Sequence, residues 1–558
     1  MSRRLIIGII ITIILTAGFT TIRNKDLEIV KNLDIYCTLF RELNMFYVDE
    51  TSPQDLVTTS INSMLNSLDP YTTYISEKEK DNFNFQTTGE YGGIGSLIQT
   101  FDGQIIISEP YQDFPAAKAG LRSGDILLSI DGIDTEDKSI SDVSSLLKGK
   151  PGTELEIEVK RPYTNNELSL TLEREKIVLS NVQFYDMIDQ QTGYIRLSNF
   201  TTNAAEEVKD AFKSLKKENI NFNQLILDLR GNPGGLLIEA VRTCNLFVEN
   251  NELIVSTKGK VKQWDKAYKT TKKALDPDIP IVVLVNRSSA SAAEIVAGAL
   301  QDLDRAVIIG QRTFGKGLVQ TTRPLKYDAQ LKVTTAKYYI PSGRCIQALD
   351  YTHRNENGSV GHIPDSLISE FKTRNGRLVY DGGGIRPDIK IVPESLSQIA
   401  IRLYTENIYF DYATRYRNTI ESIPSPETFQ IDEIEYNKFK EFVKESDFEY
   451  ETESMNIYNE LIAKAKKEKY YELAKEQFTA LEMKLSHNNM KDLDTFHDDI
   501  AQILKEEIVE RYYYREGRIR QQITDDIQLE KALELINDPA RRSGILSGQE
   551  GALTKAAF

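Results

Sequence analysis

Short apolar runs alternate with stretches of helical spacing between about residues 180 and 394. The run 225–227 is followed by a glycine-rich turn and a helical stretch at 236–248. The run 281–285 is followed by a serine-rich turn and a helical stretch at 292–300. Strands that alternate with helices in this way form parallel sheets with crossover helices. The pattern therefore predicts an α/β domain over residues 176–394.

The segments on either side of this domain have other patterns. Residues 25–88 place apolar side chains at helical spacing, and residues 89–175 form short strands broken by glycines. Residues 395–558 are rich in Glu, Lys and Tyr with helical spacing. A lysine-rich stretch, residues 256–273, is expected to project from the α/β domain. We predict an α/β multidomain protein with an N-terminal helical region, an inserted β-rich module and a C-terminal helical extension.

The N-terminus has the pattern of a membrane-directed segment. Arg3 and Arg4 precede eighteen uncharged residues, 5–22, which are rich in Ile and Leu. This length lies between the core of a signal peptide and the roughly 20 residues of a membrane-spanning helix. Residues 1–24 are therefore predicted to be a removed signal or a retained membrane anchor. In both cases the rest of the chain is exported to the cell envelope, into the periplasm or onto the outer face of the inner membrane.

Charge and metal-ligand content exclude several functions. The chain has 68 basic and 83 acidic side chains, a net charge of −15, so nucleic acid is not an expected partner. Cys37, Cys244 and Cys345 are too scattered for a disulfide framework or a thiolate metal site. The four histidines have no metal-ligand spacing. No metal and no cofactor are predicted.

A serine-rich turn at residues 286–294 joins an apolar strand to an apolar helix. It places Ser288, Ser289 or Ser291 at a helix N-terminus, where free backbone N–H groups can stabilise an oxyanion. A lone serine at such a position is more often a helix cap than a nucleophile. The neighbouring turns decide between these interpretations.

Two further turns carry complementary chemistry. The turn at 229–235 has paired glycines, which let backbone N–H groups approach a ligand. In the segment 310–320, Lys316 lies between two glycines and beside apolar residues. An apolar setting lowers the pKa of a lysine, and the neutral amine can then act as a base. Lys316 and Gln320, four apart on a predicted strand, are expected to project from one face. Alone, Lys316 would be interpreted as an ordinary surface lysine.

Five ordered segments together resemble the carboxy-terminal processing peptidases, also called tail-specific proteases. They are Leu-Arg-Gly-Asn-Pro-Gly-Gly at 229–235, Ser-Ser-Ala-Ser-Ala-Ala-Glu at 288–294, Thr-Phe-Gly-Lys-Gly-Leu-Val-Gln at 313–320, and the segments 338–347 and 376–388. The likeness covers about residues 30–394. It implies a crotonase-like α/β protease core.

The resemblance also implies roles for individual residues. In that family the nucleophile lies 25 positions before the lysine, which gives Ser291 and Lys316 here, with Gln320 beyond them. The resemblance further implies that N–H groups of Ala292, Gly234 and Gly235 hold the oxyanion. The implied reaction is peptide hydrolysis by a Ser-Lys variant of the serine protease mechanism.

The β-rich module resembles a PDZ domain in residues 91–98 and 108–132. Such a domain binds a C-terminal peptide as an added strand. The resemblance implies that Gly93, Ile94 and Gly95 capture the terminal carboxylate, and that the ligands are protein substrates with apolar C-terminal tails. A PDZ domain with a purely structural role is the alternative.

The sequence thus supports three hypotheses. The first is an exported, membrane-tethered serine endopeptidase that reads protein C-termini through its PDZ domain. The second is a catalytically inactive PDZ peptide-binding scaffold, which retention of Ser291, Lys316 and Gln320 disfavours. The third is a crotonase-like acyl-transfer enzyme, which the PDZ module disfavours. Homo-oligomerisation and the role of residues 395–558 are left open.

Overall fold

The computed structural model describes residues 26–550 apart from 165, 356–357, 394 and 486–488. The predicted signal or anchor, residues 1–24, lies outside the described residues. The described chain divides into two units: residues 26–77 with 320–334, and residues 78–319 with 335–550. Of the described helices, none combines the length and the apolarity that a membrane span requires.

The first unit contains the predicted N-terminal helices and a hairpin. Its elements are α1 (residues 26–46), α2 (Pro53–Asn66), β1 (Thr73–Ile75) and the hairpin of residues 320–334. α2 begins where the Ser52 side chain accepts a hydrogen bond from the Asp55 N–H and Pro53 occupies the first turn. β1 pairs with the hairpin in antiparallel register, with Thr73 opposite Lys332.

The second unit begins with a helix and the β-rich module. The elements are α3 (Lys80–Thr88), β2 (Glu90–Gly93), β3 (Ser96–Phe101), β4 (Gln104–Pro110), α4 (Pro115–Lys118), β5 (Ile126–Ile130), β6 (Ile133–Asp134), α5 (Ile140–Leu147), β7 (Glu154–Lys160), β8 (Glu167–Glu173) and β9 (Glu175–Val178). The main sheet has the order β3-β4-β5-β7-β8. β7 and β8 pair with Leu155 opposite Leu172 and Ile157 opposite Leu170, so the alternating apolar residues of these two predicted strands face each other.

The α/β core follows. Its elements are β10 (Val182–Met187), β11 (Thr192–Leu197), α6 (Ala204–Glu218), β12 (Gln224–Asp228), α7 (Leu237–Cys244), β13 (Leu253–Gly259), β14 (Lys266–Lys269), β15 (Ile281–Val285), α8 (Ala292–Asp302), β16 (Val307–Gly310), β17 (Leu318–Pro324), β18 (Gln330–Tyr339), β19 (Leu349–Arg354), β20 (Val360–His362), β21 (Glu370–Lys372), β22 (Leu378–Tyr380) and β23 (Ile389–Lys390).

The central sheet of this core has the order β10-β11-β12-β15-β16-β23, and the strands from β11 onwards are parallel. The three turns singled out in the sequence follow β12, β15 and β16, which are adjacent. Carboxyl ends of adjacent parallel strands lie at one edge of the sheet, where α/β proteins place their sites. The topology therefore brings the three turns together.

The lysine-rich stretch at 256–273 corrects one prediction. It was expected to project from the core, but β13 is paired on both sides, with β14 and with residues 336–339 of β18. Val255 and Thr257 of β13 are buried. The prediction is wrong for this strand, because the exposed Lys258 follows the buried Thr257, as expected of a strand with one buried face.

The C-terminal extension is helical, as predicted. It contains α9 (Gln398–Thr405), α10 (Ile408–Thr419), α11 (Glu433–Glu445), α12 (Glu453–Lys467), α13 (Lys475–Leu485), α14 (Asn489–Thr495), α15 (His497–Gln522), α16 (Ile527–Ile536) and α17 (Pro539–Leu546). α9, α10, α11, α14 and the first half of α15 enclose a separate core. α15 is kinked at Tyr514, which has φ 55° and ψ −164°.

The end of the extension instead packs on the central sheet. Ile519, Leu529, Leu535 and other apolar residues of α15–α17 share a buried cluster with side chains of β10, β11, β12, β15 and β16. The opposite face of the sheet packs against α6, α7 and α8. The last helices of the extension are thus a layer of the α/β core, since without them one face of a buried parallel sheet would be exposed.

Candidate active site

The structure separates the three candidate serines. Ser289 is 0% exposed. Its Oγ donates to the Leu229 carbonyl at 2.8 Å and accepts from the Asn286 N–H at 3.0 Å, so this hydroxyl links two turns. Ser288 is exposed. Ser291 is half-buried and directly precedes α8. Of the three, only Ser291 combines access with a position at the helix N-terminus.

The backbone of Ser291 is strained. Its φ of 53° and ψ of −111° lie in a region that non-glycine residues rarely occupy, at a cost of about 1–3 kcal/mol. Such strain persists only where the surrounding contacts fix it, and it is concentrated at functional sites. Some hydrolases expose a serine on a strained strand-to-helix turn of this kind.

A buried carboxylate, Glu294, ties the serine turn to the lysine loop. Its Oε2 accepts the N–H of Ser291 at 2.8 Å and the N–H of Lys316 at 2.9 Å. Its Oε1 accepts the Thr313 hydroxyl at 2.6 Å and the Gly315 N–H at 2.7 Å. Because one oxygen accepts both hydrogen bonds, the two nitrogens of Ser291 and Lys316 lie no more than about 6 Å apart.

Burial raises the pKa of Glu294 to about 7, although all four hydrogen bonds oppose this shift. Burial prevails because the four donors are uncharged. The carboxyl group therefore titrates near neutral pH.

A tyrosine hydroxyl makes a second bridge between the same two residues. The Tyr338 hydroxyl lies 2.6 Å from the Lys316 carbonyl oxygen and 3.1 Å from that of Ser291. A phenol has one proton, so the two carbonyls share it. Ser291 and Lys316 are thus held through their N–H groups by Glu294 and through their carbonyls by Tyr338.

The environment of the third predicted catalytic residue differs from the expectation. β17 begins at Leu318, so Lys316 lies in the loop before this strand. The prediction that Lys316 and Gln320 project from one face of the same strand is therefore wrong. Gln320 is on β17, half-buried, and its Nε2 donates to the Thr334 hydroxyl at 3.2 Å. Gln320 belongs to the first unit and Lys316 to the second.

The glycine turn approaches Ser291 closely. A Cβ on Gly234 would lie 2.7 Å from Ser291 Cβ and 2.9 Å from the Ala292 nitrogen, so only glycine fits here. The Gly234 N–H donates to Asn232 Oδ1 at 2.8 Å and is engaged in this conformation. Among the residues that the structure describes, neither the Ala292 N–H nor the Gly235 N–H has a hydrogen-bond partner. These two N–H groups are therefore available to a ligand.

Two asparagines join the glycine turn to the serine turn. Asn232 is fully buried; its Nδ2 donates to the Leu197 carbonyl at 2.7 Å, and its own carbonyl accepts the Ala290 N–H at 2.9 Å. Asn286 Oδ1 accepts the Gly231 N–H at 3.0 Å. The two turns therefore form one hydrogen-bonded unit.

An ion pair lies at the start of the glycine turn. Asp228, the last residue of β12, is buried, and its Oδ2 is 2.6 Å from Arg230 Nη2 and accepts the Tyr194 hydroxyl at 2.5 Å. Burial alone would raise the pKa of Asp228, but the Arg230 guanidinium outweighs it and holds the pKa below its usual value. Asp228 therefore stays ionised at neutral pH.

The predicted peptide-binding loop makes close contacts within the β-rich module. The Ile94 carbonyl accepts the Ala116 N–H at 2.8 Å. Gly95 has φ 72°, and a Cβ there would lie 2.4 Å from that of Phe114. The loop leads into β3, which is an edge of its sheet and packs against α5. An exposed strand edge beside a helix is the geometry that accepts an added peptide strand.

Tyr91 lies beside this loop. Burial raises the pKa of the Tyr91 hydroxyl to about 12, and the N–H groups of Ser96 and Gly95 oppose the shift. These two N–H groups therefore face the Tyr91 hydroxyl.

No group of three or more His, Cys, Asp or Glu side chains within the described residues could hold a metal ion.

Comparison with known proteins now identifies the family. The model of Peptidase family S41 matches residues 191–353, a PDZ domain model matches 106–161, and a model described as the C-terminal helical domain of a probable PDZ-protease matches 399–536. The carboxy-terminal-processing protease of Bartonella bacilliformis is 35% identical over 343 residues, which cover 61% of this chain and 78% of that protein.

A probable CtpA-like serine protease of Staphylococcus saprophyticus is 31% identical over 399 residues, covering 71% of this chain and 77% of that protein. The solved photosystem II D1 C-terminal processing protease is 27% identical and covers 65% of this chain and 93% of that chain, with a TM-score of 0.35. The chain belongs to Peptidase family S41. The predicted fold class, an α/β peptidase core with a PDZ domain and flanking helical regions, is confirmed.

Two bridging residues were missed in the sequence. Glu294 stands three positions after Ser291, the spacing of a helix capping box, and this signal could have identified it. Tyr338 was noted only as part of a family-like segment, because contacts to backbone carbonyls leave no trace in a sequence. The helical extension was not recognised as a family domain.

Proposed function

We propose that this protein is a serine endopeptidase of the cell envelope that binds protein C-termini through its PDZ domain and cleaves by a Ser-Lys mechanism. The observation that carries the proposal is the double bridge by Glu294 and Tyr338, which fixes the peptide groups of Ser291 and Lys316 beside each other. A weak nucleophile needs an adjacent base in fixed geometry.

In the proposed reaction, the Ser291 hydroxyl adds to a peptide carbonyl while its proton passes to the neutral amine of Lys316. The N–H groups of Ala292 and Gly235 hold the resulting oxyanion, and each such donor contributes about 3 kcal/mol. The C–N bond then breaks as Lys316 returns the proton to the departing amine. Water then attacks the ester on Ser291 and gives a proton to Lys316. Lys316 returns this proton to the Ser291 oxygen as the ester bond breaks.

The substrate class follows from the module that precedes the core. The edge strand β3, the adjacent α5 and the loop at Gly93–Gly95 suit an extended peptide that ends in a carboxylate. We propose protein substrates with apolar C-terminal tails. The apolar segment at residues 1–24 would tether the enzyme to the membrane on its exported side.

The test is cleavage of a folded reporter protein with an apolar, unstructured C-terminal tail, using the full chain in detergent. The wild-type enzyme and Ser288→Ala should cleave, since Ser288 is an exposed serine of the same turn, whereas Ser291→Ala and Lys316→Ala should not. Cleavage by Ser291→Ala would remove Ser291 from the mechanism. If the wild-type chain binds the tail without cleaving it, the protein is a peptide-binding scaffold. Equal turnover of free and amidated tails would contradict C-terminal recognition.

A further inference from the structure

The helical extension reaches the residue that begins the glycine turn. The Arg230 side chain is only 16% exposed, and its Nη2 lies 2.6 Å from Asp526 Oδ2 as well as 2.6 Å from Asp228. Its Nη1 donates to Gln528 Oε1 at 3.1 Å. Two of the three side chains that hold this guanidinium therefore come from the extension.

The two carboxylate oxygens of Asp526 have different partners. Oδ1 accepts the N–H groups of Gln528 and Leu529, at 2.9 and 3.0 Å, and so caps the start of α16. Oδ2 is left for Arg230. Gln528, 3% exposed, also donates from Nε2 to the Ile391 carbonyl at 2.9 Å. Both side chains are thus fixed before they contact Arg230.

The helix that carries these residues is anchored in the core. Leu529, Leu535 and Ile536 of α16 are buried on the central sheet, against apolar residues of β12 and β15. A helix packed in this way transmits position, since close-packed interiors deform little. The location of the Asp526 carboxylate is therefore set by the sheet itself.

Arg230 in turn is coupled to the oxyanion turn. Its own N–H donates to Asp228 Oδ1 at 2.8 Å, so main chain and side chain of Arg230 are held by the same carboxylate. The next residue, Gly231, is bonded to Asn286 of the serine turn. A displacement of the guanidinium would pass along the main chain towards Gly234 and Gly235.

We propose that Asp526 and Gln528 are positioning residues of the peptidase: they hold Arg230, and through it they fix the glycine turn that stabilises the oxyanion. The C-terminal helical extension would then support the active site as well as carry its own helical core. This inference rests on the proposed function, because a peptidase is what needs that turn in place. A donor misplaced by about 1 Å can cost up to a hundredfold in rate.

The variant Asp526→Asn tests the proposal. Asparagine caps a helix as well as aspartate does, so α16 should persist, but the charge opposite Arg230 is lost. We expect kcat for the tailed reporter to fall about tenfold, since oxyanion donors act mainly in the transition state. KM should change little. The thermal unfolding midpoint should fall, but less than in a variant of Asp228, because Arg230 keeps its hydrogen bonds to Asp228. A KM increase with unchanged kcat would overturn the proposal.

The matched control is Asp538→Asn. Asp538 caps α17 in the same way, accepting the Arg541 N–H at 3.0 Å, and α17 lies in the same layer. This variant should keep the wild-type kcat. An equal fall in kcat for both variants would show that only helix stability matters. In an Arg230→Lys background, Asp526→Asn should add less than twofold, because Asp526 acts through Arg230; a full additional effect would contradict the proposed route.

A peptide aldehyde separates failure of this inference from failure of the proposed function. The Ser291 oxygen would bond to the aldehyde carbon as the C=O π bond breaks, leaving an oxyanion at the turn and the serine proton on Lys316. Wild-type adduct formation that Asp526→Asn weakens about tenfold supports both proposals. An equally tight adduct in Asp526→Asn overturns only this inference. No adduct and no Ser291-dependent cleavage in the wild type overturn the proposed function, and this inference with it.

Discussion

Two buried carboxylates, Asp228 and Glu294, stand at the turns that follow neighbouring strands, and their environments are opposite. Asp228 faces the guanidinium of Arg230, and its pKa is lowered despite burial. Glu294 faces three N–H groups and one hydroxyl, and burial raises its pKa to about 7. Burial is the largest influence on both groups, so the difference comes from the charge of the partners.

The comparison assigns the two carboxylates different roles. Asp228 and Arg230 form an ion pair whose charge is independent of pH near neutrality, which suits a structural support for the glycine turn. Glu294 holds the main chains of Ser291 and Lys316 with a charge that it can lose near pH 7. The structure of the serine and lysine turns is therefore predicted to depend on pH, and that of the glycine turn is not.

The largest expected effect is on stability, from Asp228→Asn. The substitution leaves Arg230 buried with one carboxylate fewer, and breaking a buried ion pair costs about 3–5 kcal/mol. The free energy of unfolding, from urea titration at pH 7, should fall by about that amount. The control is Asp186→Asn. Asp186 pairs with Arg520 at 2.8 Å, and both side chains are partly exposed, so this ion pair is expected to contribute about 0–1 kcal/mol. Equal losses for the two variants would remove the distinction.

The next effect is on activity, from Glu294→Gln. The side chain keeps its shape, but an NH₂ group replaces one acceptor oxygen, so two of the four donors lose their acceptor. We expect kcat to fall about a hundredfold, because the Ser291–Lys316 geometry loosens. The unfolding free energy should fall by an amount comparable to that for Asp228→Asn, since each of the two unsatisfied donors costs about 1–3 kcal/mol. A variant with wild-type kcat would show that the N–H bridge is dispensable.

The same variant tests the pH dependence. The folded pKa of Glu294 is raised, so the folded state binds its proton more tightly than the unfolded state does. The contribution of Glu294 to stability is therefore largest below the unfolded pKa, near 4.5, and decreases as pH rises to about 7. Asp228, with a lowered pKa, contributes in the opposite sense, and its stabilisation is lost as pH falls below about 4. Unfolding free energies measured from pH 4.5 to 7.5 should decrease less steeply in Glu294→Gln than in the wild type.

Local patterns gave the fold correctly where each residue's environment follows from its spacing. Leu155 and Leu172 alternate with polar neighbours, a pattern that indicates strands, and both lie on strands of the β-rich module, which pair with each other. The alternation of strands and helices likewise predicted the parallel strands of the central sheet. The prediction for the stretch at 256–273 is wrong at β13, because the lysine content of the stretch does not show that Thr257, beside the exposed Lys258, is buried.

The candidate site could be predicted only in part. Ser291, Lys316 and the glycine turn lie in recognisable local motifs. The contacts that hold these residues in place are not part of such motifs. Glu294 appears in sequence as a capping residue, and nothing in its spacing shows that it also accepts the Lys316 N–H. Arg230 and Gln528 are 298 positions apart, and no periodicity links such residues. Supporting contacts across the fold have no local signal, which is why the helical extension seemed separate from the site.

The smallest expected effect is on activity, from Tyr338→Phe, which removes the hydroxyl that contacts the carbonyls of Ser291 and Lys316. The ring remains buried, but the carbonyls of Ser291 and Lys316 lose their shared donor, at a cost of about 1 kcal/mol for a hydrogen bond. We expect kcat to fall about fivefold to tenfold, less than for Glu294→Gln, because the N–H bridge still holds both turns. The neighbouring Tyr339→Phe is the control: its ring contacts the Lys258 ammonium at 4.7 Å, a contact that phenylalanine keeps. If Tyr338→Phe lowered kcat more than Glu294→Gln did, the hydroxyl and not the carboxylate would be the principal bridge between nucleophile and base.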